Sequence, residues 1–150
     1  MDAYDELLEI LKDIDLMSQV RSLLGWDQEV LMPPKAATLR GEQLAWISRE
    51  SHRRKTSPRI GELLDELEEN SELNEIERAN VRLAREAYVK ATKLPTEFVS
   101  EMARHNSKAV ISWTEAREKN DFSIFRDDLA KSIDFARKKA DYLGYETLRY

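Results

Sequence analysis

Apolar side chains recur along most of this chain at steps of three and four residues, the spacing that places them on one face of an α-helix. The first apolar stripe predicts a helix that ends near Gly25, and it consists of Tyr4, Leu7, Leu11, Ile14, Met17, Val20 and Leu24. Pro33 and Pro34 forbid a continuous helix. A second helix is therefore predicted from these prolines to Thr56, with Trp46 projecting away from the side that carries Ala37, Leu44, Ile47 and Ser51.

Helix-start signals divide the middle of the chain. Ser57 followed by Pro58 predicts the N-cap and first turn of a short third helix, which we interpret as a connector. Asn74 predicts the start of a fourth helix with two apolar faces, and hence contacts on two sides. One face carries Ile76, Leu83, Ala87 and Ala91, and the other carries Val81 and Tyr88.

Two long helices are predicted in the last third. Pro95 starts the fifth, whose stripe comprises Phe98, Met102, His105, Ala109, Trp113 and Ala116. Asn120 and Asp121 separate it from a sixth helix that ends at Gly144, with a seam of Phe122, Phe125, Leu129, Ile133, Ala136, Ala140 and Leu143. No segment alternates as a strand does. The sequence predicts an all-α array of about six helices, largely antiparallel, with no sheet.

Length and composition narrow the class of protein. A chain of 150 residues with 41% apolar and 35% charged side chains is typical of one folded domain, here a single helical domain over residues 1–150. The net charge of −5, without a basic stripe, argues against nucleic-acid binding. The lack of cysteine excludes disulfides and thiolate metal sites within this sequence. Because no leader pattern and no long apolar run occur, we expect a cytoplasmic protein that does not bind membranes.

The two histidines do not form a recognisable catalytic pattern. His52 and His105 are far apart, so the paired histidines of an HExxH zinc helix are absent. Ser51 precedes His52 directly, and adjacent residues on a helix point in different directions. We interpret His52 as an exposed helix-end residue and His105 as a hydrogen-bonded core or boundary residue; a metal or catalytic role of His105 beside Glu101 is the alternative. The sequence predicts no catalytic, cofactor-binding or metal-binding residue.

Carboxylates and tryptophans provide further candidates. Asp27 and Glu29 are interpreted as helix caps, with a position facing a cleft as the alternative. Trp26, Trp46 and Trp113 are interpreted as packing anchors rather than as a substrate platform. An acidic cluster is interpreted as solvated surface, with a weak cation site as the alternative, and it consists of Glu66, Glu68, Glu69, Glu72, Glu75 and Glu77.

Five segments, in this order, together resemble the N-terminal part of the carboxypeptidase Taq family of metallocarboxypeptidases: LLGWDQEVLMPP, RGEQLAWIS, IGELLDEL, NVRLAREAYVKATKLPTEFVSEMAR and WTEAREKNDFSIFRDDLAKSIDFARKKADYLGY. The resemblance runs from about Tyr4 to Tyr145. It implies a mostly helical, cytosolic, commonly homodimeric enzyme. Such enzymes remove C-terminal residues from peptides with broad specificity, using zinc or cobalt held by an HExxH helix and a later glutamate.

The 150 residues contain no HExxH motif, so the resemblance transfers no site residue to this sequence. It implies a groove wall or cap that is non-catalytic on its own, without a bound cofactor, and leaves open whether this chain is an enzyme. We expect a truncated gene product, an expressed fragment or a stand-alone relative. Two alternatives are a helical interaction module, which dimerises or docks on a separate catalytic part, and a small-ligand or metal-binding bundle that uses His105 and Glu101.

Overall fold

The computed structural model describes residues 2–144, which form α-helices and one short 3₁₀ helix. The α-helices are α1 (Ala3–Val30), α2 (Ala37–Lys55), α3 (Pro58–Glu68), α4 (Glu75–Thr92), α5 (Thr96–Lys119) and α6 (Ser123–Leu143), and the 3₁₀ helix is Pro34–Ala36. No strand occurs in the described residues, which confirms the all-α class. No helix within residues 2–144 combines the length and the apolar character that a membrane span requires.

The first helix is longer than predicted. α1 passes through Gly25 and ends at Val30, so the predicted end near Gly25 is wrong. Glycine inside a helix costs about 1 kcal/mol relative to alanine, which is too little to end a helix of 28 residues. The helix ends at Val30, close to Pro33, which disfavours helical geometry in the residue before it, and a 3₁₀ helix that starts at Pro34 separates α1 from α2.

Neighbouring helices run in opposite directions. His52, near the end of α2, contacts Thr96 at the start of α5, whereas Glu42, early in α2, contacts Arg104 in the middle of α5. The ion pairs and other contacts between α1 and α2, between α3 and α4, and between α5 and α6 follow the same opposed order. These contacts give the antiparallel arrangement of the neighbouring helices.

The main hydrophobic core lies between the first half of α1, α3 and α4. Leu63 and Leu64 of α3 are completely buried, so the interpretation of α3 as a connector is wrong. Its four apolar side chains are all buried, because α1 and α4 cover them from two sides. The core consists of Leu7, Ile14, Ile60, Leu63, Leu64, Leu67, Leu73 and Val81.

The start of α4 follows the prediction, and its packing follows it in part. The Asn74 side chain accepts backbone hydrogen bonds at the helix start while the Glu77 side chain bonds back to the Asn74 N–H, a complete capping box. Val81 is buried, whereas Ile76 and Leu83 on the other predicted face are exposed. α4 contacts both α3 and α2, as two apolar faces predict, but its second predicted face is covered only near its end, where Ala91 bonds His52 of α2.

The ends of α5 and α6 match the predicted stop signals, but the buried side of α6 is rotated. Asn120 and Gly144 both have positive φ angles, 50° and 74°, the geometry that ends a helix. Asp128 and Phe135 form the buried side, while Phe122 and Ile133 of the predicted seam are exposed. The predicted α6 seam is therefore only partly buried.

Candidate functional site

Arg40 joins the end of α1 to α2. Its guanidinium donates to the Leu24 carbonyl oxygen at 2.6 Å, to Asp27 Oδ2 at 2.5 Å and to Gln43 Oε1 at 3.0 Å. Asp27 therefore lies inside α1 and bonds an arginine, so its interpretation as a helix cap is wrong. The Arg40 side chain is only 12% exposed. Its guanidinium bonds both Leu24 and Asp27 of α1 and thereby holds α2 against the end of that helix.

Glu29 lies two residues after Asp27 in α1 and lines a groove between the end of α1, the 3₁₀ helix and α5. The groove has a volume of about 610 Å³ and also contains the carboxylates of Glu115 and Glu118 and the indole of Trp113. No cationic side chain is among the described residues that line it. We call it the acidic groove, and Glu29 takes the cleft-facing position that was the alternative to capping.

His52 is buried between α2 and the α4–α5 connection. Its Nε2 lies 3.1 Å from the Ala91 carbonyl oxygen and its Nδ1 lies 3.0 Å from Thr96 Oγ1. A carbonyl oxygen can only accept, so Nε2–H donates to Ala91 and Nδ1 accepts from the Thr96 hydroxyl. Burial lowers the pKa of His52. The interpretation as an exposed helix-end residue is wrong, because the start of α5 covers this end of α2.

His105 is buried in the interface between α5 and α6. Its Nε2 lies 2.9 Å from Ser132 Oγ, and its ring stacks on Phe135 with centroids 5.2 Å apart. Since the Ser132 hydroxyl donates to the Asp128 carbonyl oxygen, it accepts from His105. Burial lowers the pKa of His105, and the charge of Lys131 acts in the same direction. This is the hydrogen-bonded core position of the first interpretation, whereas Glu101 is exposed.

Neither histidine belongs to a cluster of potential metal ligands. Within residues 2–144, no group of three histidine, aspartate or glutamate side chains is placed to hold a metal ion. The acidic cluster after α3 is on the surface, where Glu68 forms an ion pair with Arg85 and Glu77 belongs to the capping box. The described residues thus bring together no pair of the sequence-derived catalytic candidates.

The tryptophans are not packing anchors in this structure. Trp26, Trp46 and Trp113 are 53%, 56% and 50% exposed, so that interpretation is wrong. Trp26 belongs to an exposed stripe at helical spacing. Sequence reasoning missed the end of this stripe because α1 was expected to end near Gly25, and it placed Val20, which is 50% exposed, on the same stripe as the buried Leu7 and Ile14. This exposed α1 stripe consists of Leu16, Val20, Leu23, Trp26 and Val30.

Comparison with known proteins identifies the family. The sequence model of the carboxypeptidase Taq (M32) metallopeptidases matches residues 6–150. This chain belongs to that family. Thermostable carboxypeptidase 1 of Pyrococcus furiosus is 34% identical over 145 residues, which are 97% of this chain and 29% of that protein. Carboxypeptidase 1 of Bacillus subtilis is 32% identical over 146 residues, which are 97% of this chain and 29% of that protein.

Solved structures of M32 proteins show the same helical arrangement. The crystal structure of BsuCP superposes with a TM-score of 0.94 at 31% identity, over 98% of this chain and 30% of that chain. The Pyrococcus furiosus carboxypeptidase gives a TM-score of 0.74 at 34% identity, over 97% of this chain and 29% of that chain. This chain therefore corresponds to a partial, N-terminal segment of M32 carboxypeptidases, as the resemblance implied.

Proposed function

We propose that this chain forms a wall or cap over the substrate groove of an M32 metallocarboxypeptidase, and that it contributes surface rather than catalytic groups. The observation that carries the proposal is the coverage: 97% of this chain matches only 29% of a family member. The resemblance assigns catalysis to zinc or cobalt on an HExxH helix, a motif that these 150 residues lack. Peptide cleavage therefore requires groups from another part of the enzyme.

The exposed apolar surface supports an interface with that other part. The exposed α1 stripe covers four helical turns, and Trp46 and Trp113 add large half-exposed rings on α2 and α5. Burying such surface is the main favourable contribution to the association of protein segments. A chain that supplies one wall of a larger enzyme would cover these faces when it packs against the other part.

The acidic groove limits how substrate could lie along this wall. A carboxypeptidase substrate ends in a negatively charged carboxylate. Glu29 and Glu118 would repel that group, whereas the charge of Glu115 is balanced by an ion pair with Lys119 at 2.6 Å. The indole of Trp113 beside these carboxylates favours a cationic or apolar side chain instead. We assign the C-terminal carboxylate of the substrate to a region away from this groove.

The activity of the purified 150-residue chain tests the proposal. It is incubated with an unblocked peptide and with zinc or cobalt, and the released amino acids are measured by mass spectrometry. Bacillus subtilis carboxypeptidase 1 serves as the positive control, and a sample with a chelator serves as the blank. We expect no release above the blank. Metal-dependent release by this chain alone would overturn the proposal.

The exposed α1 stripe also supports a second function, a helical interaction module that dimerises through this stripe. The resemblance implies homodimers and cytoplasmic residence, and both belong to this proposal. Light scattering over a concentration series tests it with Leu23→Glu and, as control, Gln19→Glu, since both residues are exposed on α1. A dimer that only Leu23→Glu dissociates supports the module. A monomer at every concentration rejects it.

A further inference from the structure

A second cleft, distinct from the acidic groove, opens between α1, α2, α5 and α6. Its volume is about 350 Å³, and three cationic side chains reach it from three different helices: Arg21, Lys55 and Lys139. Serine hydroxyls and the Asn106 amide also line it, but no carboxylate does among the described residues. We call it the cationic pocket.

An apolar cavity continues from the cationic pocket. It has a volume of about 450 Å³ and also lacks carboxylates among the described residues that line it. The two cavities share five lining residues: His52, Lys55, Val99, Met102 and Lys139. We call it the apolar pocket, because side chains such as Leu11, Ile14 and Leu94 form most of its remaining wall. A charged compartment and an apolar compartment therefore meet at one boundary.

The polar groups of the cationic pocket have spare binding capacity. Other cations of this chain, such as Arg40, Arg85 and Arg104, form ion pairs. Arg21, Lys55 and Lys139 form no ion pair within 4.0 Å among the described residues. Ser51 is buried, and its hydroxyl makes no hydrogen bond to another described residue. Because Ser51 lines the pocket, this hydroxyl can bond a ligand there.

His52 holds the boundary between the two compartments. Both of its ring nitrogens are occupied, one by the Ala91 carbonyl oxygen and the other by the Thr96 hydroxyl. His52 is therefore a positioning residue that joins α2 to the α4–α5 connection. The three cations, rather than His52, are available to bind a ligand. A neutral imidazole at this position adds an apolar edge rather than another charge.

We propose that this cleft binds a small amphipathic anion, with its head between Arg21, Lys55 and Lys139 and its alkyl chain in the apolar pocket. Three cations that form no ion pair with a described residue favour a carboxylate or phosphate head. Because the described residues of both linings include no carboxylate, such a head does not meet there the repulsion that it meets at the acidic groove. The adjoining apolar wall favours a ligand with a hydrocarbon tail over a free inorganic anion.

Isothermal titration calorimetry with the 150-residue chain tests the site. Octanoate and octyl phosphate are the probes for the two kinds of head, and octanol has the same tail without the charge. We expect saturable binding of at least one anion, at least tenfold weaker binding of octanol, and weakening by added salt. Affinity should rise with tail length, by up to about fourfold per methylene. No saturable binding of either anion, or equal binding of octanol, would overturn the proposal.

Paired substitutions locate the site. The double variant Lys55→Ala, Lys139→Ala removes two pocket cations. The matched control Lys12→Ala, Lys35→Ala removes two lysines that are equally exposed but line neither pocket. Circular dichroism and thermal unfolding verify that both variants fold. We expect about tenfold weaker anion binding in the pocket variant and unchanged binding in the control. Equal weakening in the two variants would show general charge attraction and would overturn the site.

Discussion

Replacing a tryptophan should cost this protein less stability than replacing a leucine, provided that burial rather than side-chain size decides the cost. Trp113→Ala removes the larger side chain, but Trp113 is 50% exposed. Leu64→Ala removes a smaller side chain that is 0% exposed, at the centre of the core between α1, α3 and α4. The two variants therefore separate size from burial.

The magnitudes follow from the buried area. A fully buried aromatic side chain removes about 150–250 Å² from water, so a half-exposed tryptophan removes about half of that. At about 25 cal/mol per Å², and after allowance for the compact unfolded chain and the remaining alanine, Trp113→Ala should cost about 1–2 kcal/mol. Leu64→Ala also leaves an enclosed cavity, and buried Leu→Ala changes cost about 2–5 kcal/mol.

Urea unfolding followed by circular dichroism measures both costs. The far-UV signal reports helix loss in the unsubstituted chain and in both variants, and it does not depend on the tryptophan that Trp113→Ala lacks. We expect a lower unfolding midpoint for Leu64→Ala than for Trp113→Ala, with unchanged slopes. If Trp113→Ala destabilises as much as Leu64→Ala does, the exposed position of Trp113 is refuted and its first interpretation as a packing anchor is restored.

Three further predictions concern two glycines, a helix cap and a buried histidine. A Cβ added at Gly25 would have no neighbour within 4 Å, so Gly25→Ala should stabilise the protein by about 0.5–1 kcal/mol. Gly144 has a φ of +74°, so Gly144→Ala should destabilise it by about 1–2 kcal/mol. The two variants should shift the urea unfolding midpoint in opposite directions. Asn74→Ala removes the capping box and should cost about 1 kcal/mol, and an unchanged thermal midpoint would contradict it. Because the folded pKa of His52 lies below its ordinary 6.5, the unfolded chain takes up this proton first, and the free energy of unfolding should fall as the pH drops below 6.5. His52→Gln should reduce that dependence, with the part due to His105 remaining, in urea titrations at several pH values.

Local signals in the sequence predicted where helices begin and end. Asn74 with Glu77 forms a capping box, and Asn120 and Gly144 adopt the backbone geometry of helix ends. These features depend on a few neighbouring residues, so the local sequence contains the necessary information. Gly25 is the exception, because a modest local cost was outweighed by the helix on both sides of it.

Which helix face is covered could not be predicted in the same way. The α6 seam through Phe122 and Ile133 has the correct helical spacing, yet both residues are exposed. Periodicity shows that a face is apolar, but it does not show whether the covering partner lies within the same 150 residues. This chain spans about three-tenths of the length of its relatives. An apolar face that a further part of such a protein covers has the same sequence pattern as a face that is covered within this chain.

The sites that sequence reasoning missed depend on contacts between distant segments. His52 is buried because residues 91 and 96 fold over it, and no pattern around position 52 indicates this. The cationic pocket similarly combines Arg21, Lys55 and Lys139, which are separated by tens of residues. Only the packing of α1, α2, α5 and α6 brings these three charges together.

Fluorescence quenching of the tryptophans tests most directly the central claim, that this chain presents uncovered apolar faces. Trp26, Trp46 and Trp113 are the three tryptophans of the sequence, and each is about half exposed. In dilute solution of the native chain, acrylamide should quench the emission of all three, with little further gain when the chain is unfolded in urea. Emission that is protected from acrylamide until the chain unfolds would contradict the account, because the three rings would then be covered within the chain itself.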